Sequence, residues 1–177
     1  MKKANILTAL VAVIALSAFT IKASIDWKIS DEFSIKFTSE DPTGVFTKMD
    51  GNVSFDPDDL QSSRFDVKVD VSSINTGRGM QNKHAVSDKW FDADNYPTID
   101  FTSKSFAKTA TGYEVIGTLQ IHGVAKEFTM PFTFEDDVFS SSFTINRLEY
   151  NIGDMKGMSK NVPEELTVDI SVPVTKK

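Results

Sequence analysis

The chain contains no cysteine. No disulfide, thiol nucleophile, thiolate metal site or lipid-modified cysteine can be built from it, so stability has to come from the core. Histidine is nearly as scarce, with only His84 and His122. Neither lies in a metal-ligand pattern such as two histidines four apart with a glutamate between them. His122 precedes a hairpin glycine and reads as a turn residue, while His84 reads first as a structural hydrogen-bonding group and second as a ligand contact. A Gly-x-Ser-x-Gly elbow, a Gly-x-Gly-x-x-Gly turn and a phosphate loop are all missing. Bases are outnumbered too, with 19 Lys and Arg against 25 Asp and Glu. That balance argues against nucleic acid, whose binding rests on cations neutralising phosphates, and against electrostatic docking on anionic lipid headgroups. The carboxylates scatter over solvated strand faces and turns, as solvated charges do. Nothing here supports an enzyme.

Long apolar runs are also lacking, with one exception. Met1-Lys2-Lys3 gives a positive start, and residues 6–21 follow without a charge. The run falls short of the roughly 20 residues a membrane span needs and fits a secretory signal peptide. Residues 1–23 are therefore expected to be a signal peptide, with cleavage after Ala23 or Ser17, and residues 24–177 to form one domain. Loss of Lys2, Lys3 and Lys22 would move the formal net charge from −6 to −9 and leave no stable membrane span. The expected location is periplasmic or secreted.

What the chain has in abundance is phenylalanine: 14, against 2 Trp and 3 Tyr. Phenylalanine carries no polar handle, so such a set favours a dry interior. An ordinary β-core and a barrel lumen lined for an apolar guest both fit.

Most of the chain speaks in the two-residue period of β-strands. Phe65, Val67, Val69 and Val71 alternate with Asp66, Lys68 and Asp70. Phe128, Met130, Phe132 and Phe134 form a second such set, and Leu166, Val168, Ile170, Val172 and Val174 a third. One buried and one solvated face per strand is the pattern of an antiparallel sheet covering a core on one side. Residues 27–30 and 33–38 read as an opening pair or one broken strand. Residues 49–52 read as a bulge or hairpin tip, and 139–152 as one long strand whose face slips between Ile145 and Leu148, as at a bulge. About eight amphipathic strands joined by hairpin-length turns favour a closed up-and-down barrel, which also removes exposed edges. At that size the interior either fills with side chains or holds one slender ligand.

Residues 73–105 interrupt this period. Met80, His84, Ser87 and Phe91 fall on one side of a helix over residues 78–91, a length that is marginal alone and needs packing to persist. Gly77 and Gly79 loosen its entry, Trp90 and Phe91 anchor its exit, and Pro97 restarts the extended chain by restricting Tyr96. Such an excursion plugs a barrel end or serves as a lid over it.

The same segment carries a resemblance. Ser73-Ile74-Asn75-Thr76-Gly77, His84, Trp90-Phe91-Asp92-Ala93 and Tyr96-Pro97-Thr98-Ile99-Asp100-Phe101-Thr102-Ser103 resemble the YceI-like family. So do the hairpin Gly117-Thr118-Leu119-Gln120-Ile121-His122-Gly123-Val124-Ala125-Lys126, the run Phe143-Thr144-Ile145-Asn146-Arg147 and Tyr150-Asn151-Ile152-Gly153. The sequence departs from the family pattern at Glu32-Phe33-Ser34, where a histidine would precede the serine, and at Gln81-Asn82, where the family has Arg-Asp. The resemblance implies an all-β, lipocalin-like, antiparallel eight-stranded barrel with one short helical excursion. It also implies an apolar lipid ligand, a polyisoprenoid or the tail of an isoprenoid quinone, and no other cofactor. A second copy of the chain is kept as a partner. Strand parity, taken with that implication, nominates Phe65, Val67, Val69, Leu119, Ile121, Met130, Phe132, Phe143 and Ile145 as lumen contacts, with Met80, His84 and Trp90 at the mouth. No catalytic or metal residue is nominated. A ligand-free structural or stress-response envelope protein and an enzyme acting on an isoprenoid-linked substrate are the alternatives.

Overall fold

The computed structural model describes residues 24–177. The expected signal peptide lies outside the described residues.

Eleven strands form one sheet that closes on itself. In chain order they are β1 (Asp26–Ile29), β2 (Ser34–Thr38), β3 (Gly44–Phe46), β4 (Met49–Ser54), β5 (Arg64–Asp70) and β6 (Ile74–Asn75), then β7 (Thr98–Thr109), β8 (Gly112–Ile121), β9 (Val124–Glu135), β10 (Val138–Asn146) and β11 (Glu165–Lys176). The ring runs β1-β4-β5-β7-β8-β9-β10-β11 and returns to β1, every neighbour antiparallel. That is an eight-stranded barrel. β2 continues β1 along β11, β3 continues β4 alongside β2, and β6 prolongs β5 beside β3. The opening segment is thus one broken strand.

Turn chemistry sets the hairpins. His122 and Gly123 join β8 to β9 with φ of 49° and 74°, and Asp136 and Asp137 join β9 to β10 with φ of 49° and 59°. Two central residues at positive φ match the strand twist of a two-residue hairpin, and His122 is accordingly a turn residue. Gly51 is not a hairpin tip: it pairs with Val67 in the middle of the β4–β5 ladder. A Cβ there would lie 2.3 Å from the Asp66 carbonyl oxygen, which is why the strand carries glycine at that point.

Aromatic rings close one end of the barrel. Phe55, fully buried, lies within 5.1–6.4 Å, centroid to centroid, of Phe65, Phe106, Tyr113, Phe132, Phe134 and Phe139. Trp27 packs its ring edge to face on Phe134 and donates its indole N–H to the Phe55 carbonyl at 2.9 Å. At the other end Ile35, Phe37, Phe46, Val69 and Ile74 form a second cluster, covered by Ala85, Val86 and Phe91 of the excursion.

That excursion is shorter than its period suggests. Helix α1 spans Gly79–Ala85, seven residues, because the Ser87 hydroxyl donates to the His84 carbonyl and the chain then folds into turns. Phe91 and Ala93 return their N–H groups to Ala85 and Val86, and Asp92 takes φ of 47°. The packed side is Ala85, Val86 and Phe91, whereas Met80 and His84 face solvent. Asn82, at a departure from the family pattern, accepts from the Thr76 N–H and hydroxyl and ties the helix to its entry loop.

The expected strand 139–152 also ends early. β10 stops at Asn146, and Arg147–Tyr150 form a 3₁₀ turn closed by Asn151 in the left-handed region. The cause is Arg147, which is fully buried. Its guanidinium donates to the carbonyls of Pro163, Ile152, Ser159 and Val162 and lies 5.4 Å from the Trp90 ring centroid. Burial pushes its pKa down and Glu164 and Asp154 pull it back up, but a guanidinium stays protonated throughout. The long 147–164 connection is thereby wrapped around one cation. Arg147→Ala would strand four carbonyls, a cost of about 3–5 kcal/mol in urea unfolding, against well under 1 kcal/mol for the exposed Arg64→Ala.

Candidate functional site

Between the two packed ends the barrel is hollow. The cavity has a volume of about 180 Å³. That is below the roughly 300–1,000 Å³ of a drug-sized site and is the volume of a narrow channel. Twenty-two residues line it, and only Ser140 and Ser141 among them bear a polar side chain. Seven of the fourteen phenylalanines are in the wall: Phe46, Phe65, Phe101, Phe128, Phe132, Phe139 and Phe143.

Alternation puts these side chains inside. Phe65, Val67 and Val69 of β5 face the cavity together, as do Leu119 and Ile121 of β8, Met130 and Phe132 of β9, and Phe143 and Ile145 of β10. These are the nine lumen positions nominated by parity. The three mouth positions are not in the wall. Met80 is 67% exposed and His84 also faces solvent, since the helix turns its Ala85–Val86 side inward. Trp90 stacks with Arg147 and packs close to Gly153, where an added Cβ would meet its ring at 2.9 Å. Its work is to brace the loop and not to face the cavity.

Parity also carries residues that were passed over. Val168, Ile170 and Val172 of β11 line the cavity on the alternation already legible in that strand. Ile35, Met49 and Val53 sit on short strands where too few residues repeat to fix a face, and Ile99 at the start of β7 lines the cavity beside them. Phe139, Ser141, Phe143 and Ile145 of β10 keep one parity in the wall, with Ser140 reaching its edge, and the change of face beyond Ile145 coincides with the end of the strand at Asn146.

One glycine keeps the wall thin. A Cβ on Gly117 would come within 2.5 Å of the Phe101 ring and 2.6 Å of the Thr102 carbonyl oxygen. With no side chain beneath it, the ring lies flat along β8 and leaves the lumen clear.

Charge is kept off this surface. Lys68 points outward towards Asp100 at 3.9 Å, Lys104–Glu127 pair on the outside at 2.9 Å, and Lys126, opposite Leu119 near the β8–β9 turn, is drawn to Glu149 at 2.8 Å. Among the described residues no group of three or more His, Asp or Glu is placed to hold a metal ion. No helix among them is long and apolar enough to cross a membrane.

Comparison with known proteins agrees with this architecture. The profile of the YceI-like domain matches residues 27–174. A UPF0312 protein of Pseudomonas putida strain F1 is 30% identical over 166 residues, covering 88% of this chain and 82% of that protein. The UPF0312 protein YE1254 of Yersinia enterocolitica is 31% identical over 87 residues, 49% of this chain and 45% of its own. Among solved structures, Burkholderia cenocepacia BcnA superposes with a TM-score of 0.75 at 28% identity, over 84% of this chain and 99% of that one. A polyisoprenoid binding domain from Saccharophagus degradans shares the fold, with a TM-score of 0.63 at 16% identity over 88% of this chain and all of that one. With its profile matched from Trp27 to Val174 across the whole ring of strands, the chain belongs to the YceI-like family.

Proposed function

We propose that this protein holds one long apolar lipid chain, of polyisoprenoid or isoprenoid-quinone type, inside the barrel. The observation that carries the reading is the cavity wall: twenty apolar side chains and two serine hydroxyls around a hollow, in a barrel of a size that can instead fill with side chains. Each Å² of apolar ligand surface taken from water contributes about 25 cal/mol, before the cost of ordering the chain. A wall with so few hydrogen-bonding groups selects by width and shape. A slender, branched hydrocarbon fits such a channel, and the name of the Saccharophagus degradans domain records binding of that class in the same fold.

Two further points complete the proposal. Met1-Lys2-Lys3 and the charge-free run 6–21 support export, so the protein would carry or store its lipid in the cell envelope or outside it. A ligand-free structural role is disfavoured by the hollow itself. An unfilled apolar cavity costs stability in proportion to its volume.

Extraction of the purified protein with organic solvent and mass spectrometry of the extract tests the reading. Val67→Lys places an ammonium group in the apolar wall and should lower the lipid-to-protein ratio at least tenfold, while Lys68→Glu, one residue along and outside, should leave it unchanged. Equal ratios in the two variants would contradict a lumen site. Gly117→Ala should push the Phe101 ring off the wall, costing about 1–3 kcal/mol of stability and part of the bound lipid together. A melting curve and the same extraction read both effects.

A further inference from the structure

The barrel wall is not equally closed all round. β8 and β9 pair along nine positions, and so do β10 and β11. Between β9 and β10 the ladder holds three pairs, Val138↔Glu135, Phe139↔Phe134 and Ser140↔Thr133, and then stops. Pro131 accounts for the stop. Its pairing with Glu114 of β8 is uninterrupted, so the N–H that proline lacks is one that would have pointed to β10. Beyond it the next link is a side-chain bond, Ser141 Oγ donating to the Pro131 carbonyl at 2.5 Å.

Further along, the seam is shut by rings. Phe128 of β9 and Phe143 of β10 meet edge to face with centroids 5.0 Å apart, and both line the cavity. Past them the seam is pinned again by Lys126–Glu149 at 2.8 Å. The unladdered stretch of β9, residues 127–132, is about 20 Å long at the rise of a strand. On the outer surface a second depression, formed by Thr111, Tyr113, Pro131, Thr133 and Ser142, shares Phe132, Ser140 and Ser141 with the lumen. Inside and outside therefore meet at this seam, whereas the two barrel ends carry the Phe55 ring cluster and the Phe91–Val86 cover.

We infer that the lipid enters and leaves through the side of the barrel, between β9 and β10, with the Phe128 and Phe143 rings as the leaves of the gate. The inference rests on the proposed lipid reading of the lumen. Opening such a seam needs ring rotation and a small separation of strands, with no ladder of backbone hydrogen bonds to break. Leaving by either end would require unpacking a whole cluster. The outer depression is lined by hydroxyls and carries no basic side chain, so the molecule that passes is one with an uncharged polar end, an alcohol or a quinone carbonyl, and not a phosphate.

The absence of native cysteine makes the test clean, because two introduced thiols can pair only with each other. The variant Phe128→Cys/Phe143→Cys replaces two rings by a smaller bridge, closed by oxidation or by a short dithiol-reactive reagent, and does not narrow the lumen. The probe is the methyl ester of cis-parinaric acid, a linear polyene that fluoresces in apolar surroundings. Bridging should slow its uptake and release at least tenfold, and reduction of the disulfide form should restore them. A bridge between Thr144→Cys and Thr167→Cys, partners in the intact β10–β11 ladder, should change nothing. Phe143→Ala, which removes one leaf, should speed exchange severalfold, and the ester should enter faster than the free acid at neutral pH. Equal exchange in bridged and reduced protein would overturn the side entry while leaving the lipid reading intact. Failure of every form to take up the probe would overturn both.

Discussion

The pairing of β11 with the opening strands is the constraint on which the structure depends. Trp27, Lys28 and Ile29 lie against Lys176, Thr175 and Val174, and β2 follows along the other half of the same strand. This contact turns a long antiparallel meander into a ring. It removes the two edges that would otherwise be free to pair with other chains, and it gives every strand an inner face that must be filled or left hollow. With no disulfide to hold it, the ring is secured at its ends by packing: rings around Phe55 at one, the short excursion over Phe46 and Val69 at the other.

The hollow follows from how the phenylalanines are distributed. Those near Phe55 point across the barrel and touch one another, so that end is solid. Those farther along lie against the wall, as Phe101 does over Gly117, and leave space between them. One residue type thus builds both the plug and the channel. The difference lies in which neighbours are small, a property of pairs across strands and not of any one strand.

That distinction marks what could be read from the sequence. Alternation within strands, clearest in residues 65–71 and 128–134, told which side chains share a face, and the nine inner positions nominated by parity all lie in the cavity wall. It could not say whether those faces meet or stand apart. The helical period of residues 78–91 misled, because Met80, His84, Ser87 and Phe91 match a helix that the Ser87–His84 bond ends after Ala85. Arg147 was read inside one long strand and not as the centre of a loop, since its four carbonyl partners carry no side-chain signature. Pro131 lies within the alternating set of residues 128–134 and leaves that pattern undisturbed. Its consequence, a ladder lost on one side only, needed the register with β8.

A family fold, an apolar channel and a weakly laddered side seam combine into an account of a protein that shields one lipid from water. Its central claim is that the channel is occupied in the working protein. Native mass spectrometry of protein purified from its own cells, without detergent or solvent, measures this most directly. The account predicts a mass above that of the polypeptide by one lipid molecule per chain, lost after solvent extraction and regained on incubation with an isoprenoid quinone. A bare polypeptide mass before extraction and after incubation would contradict it.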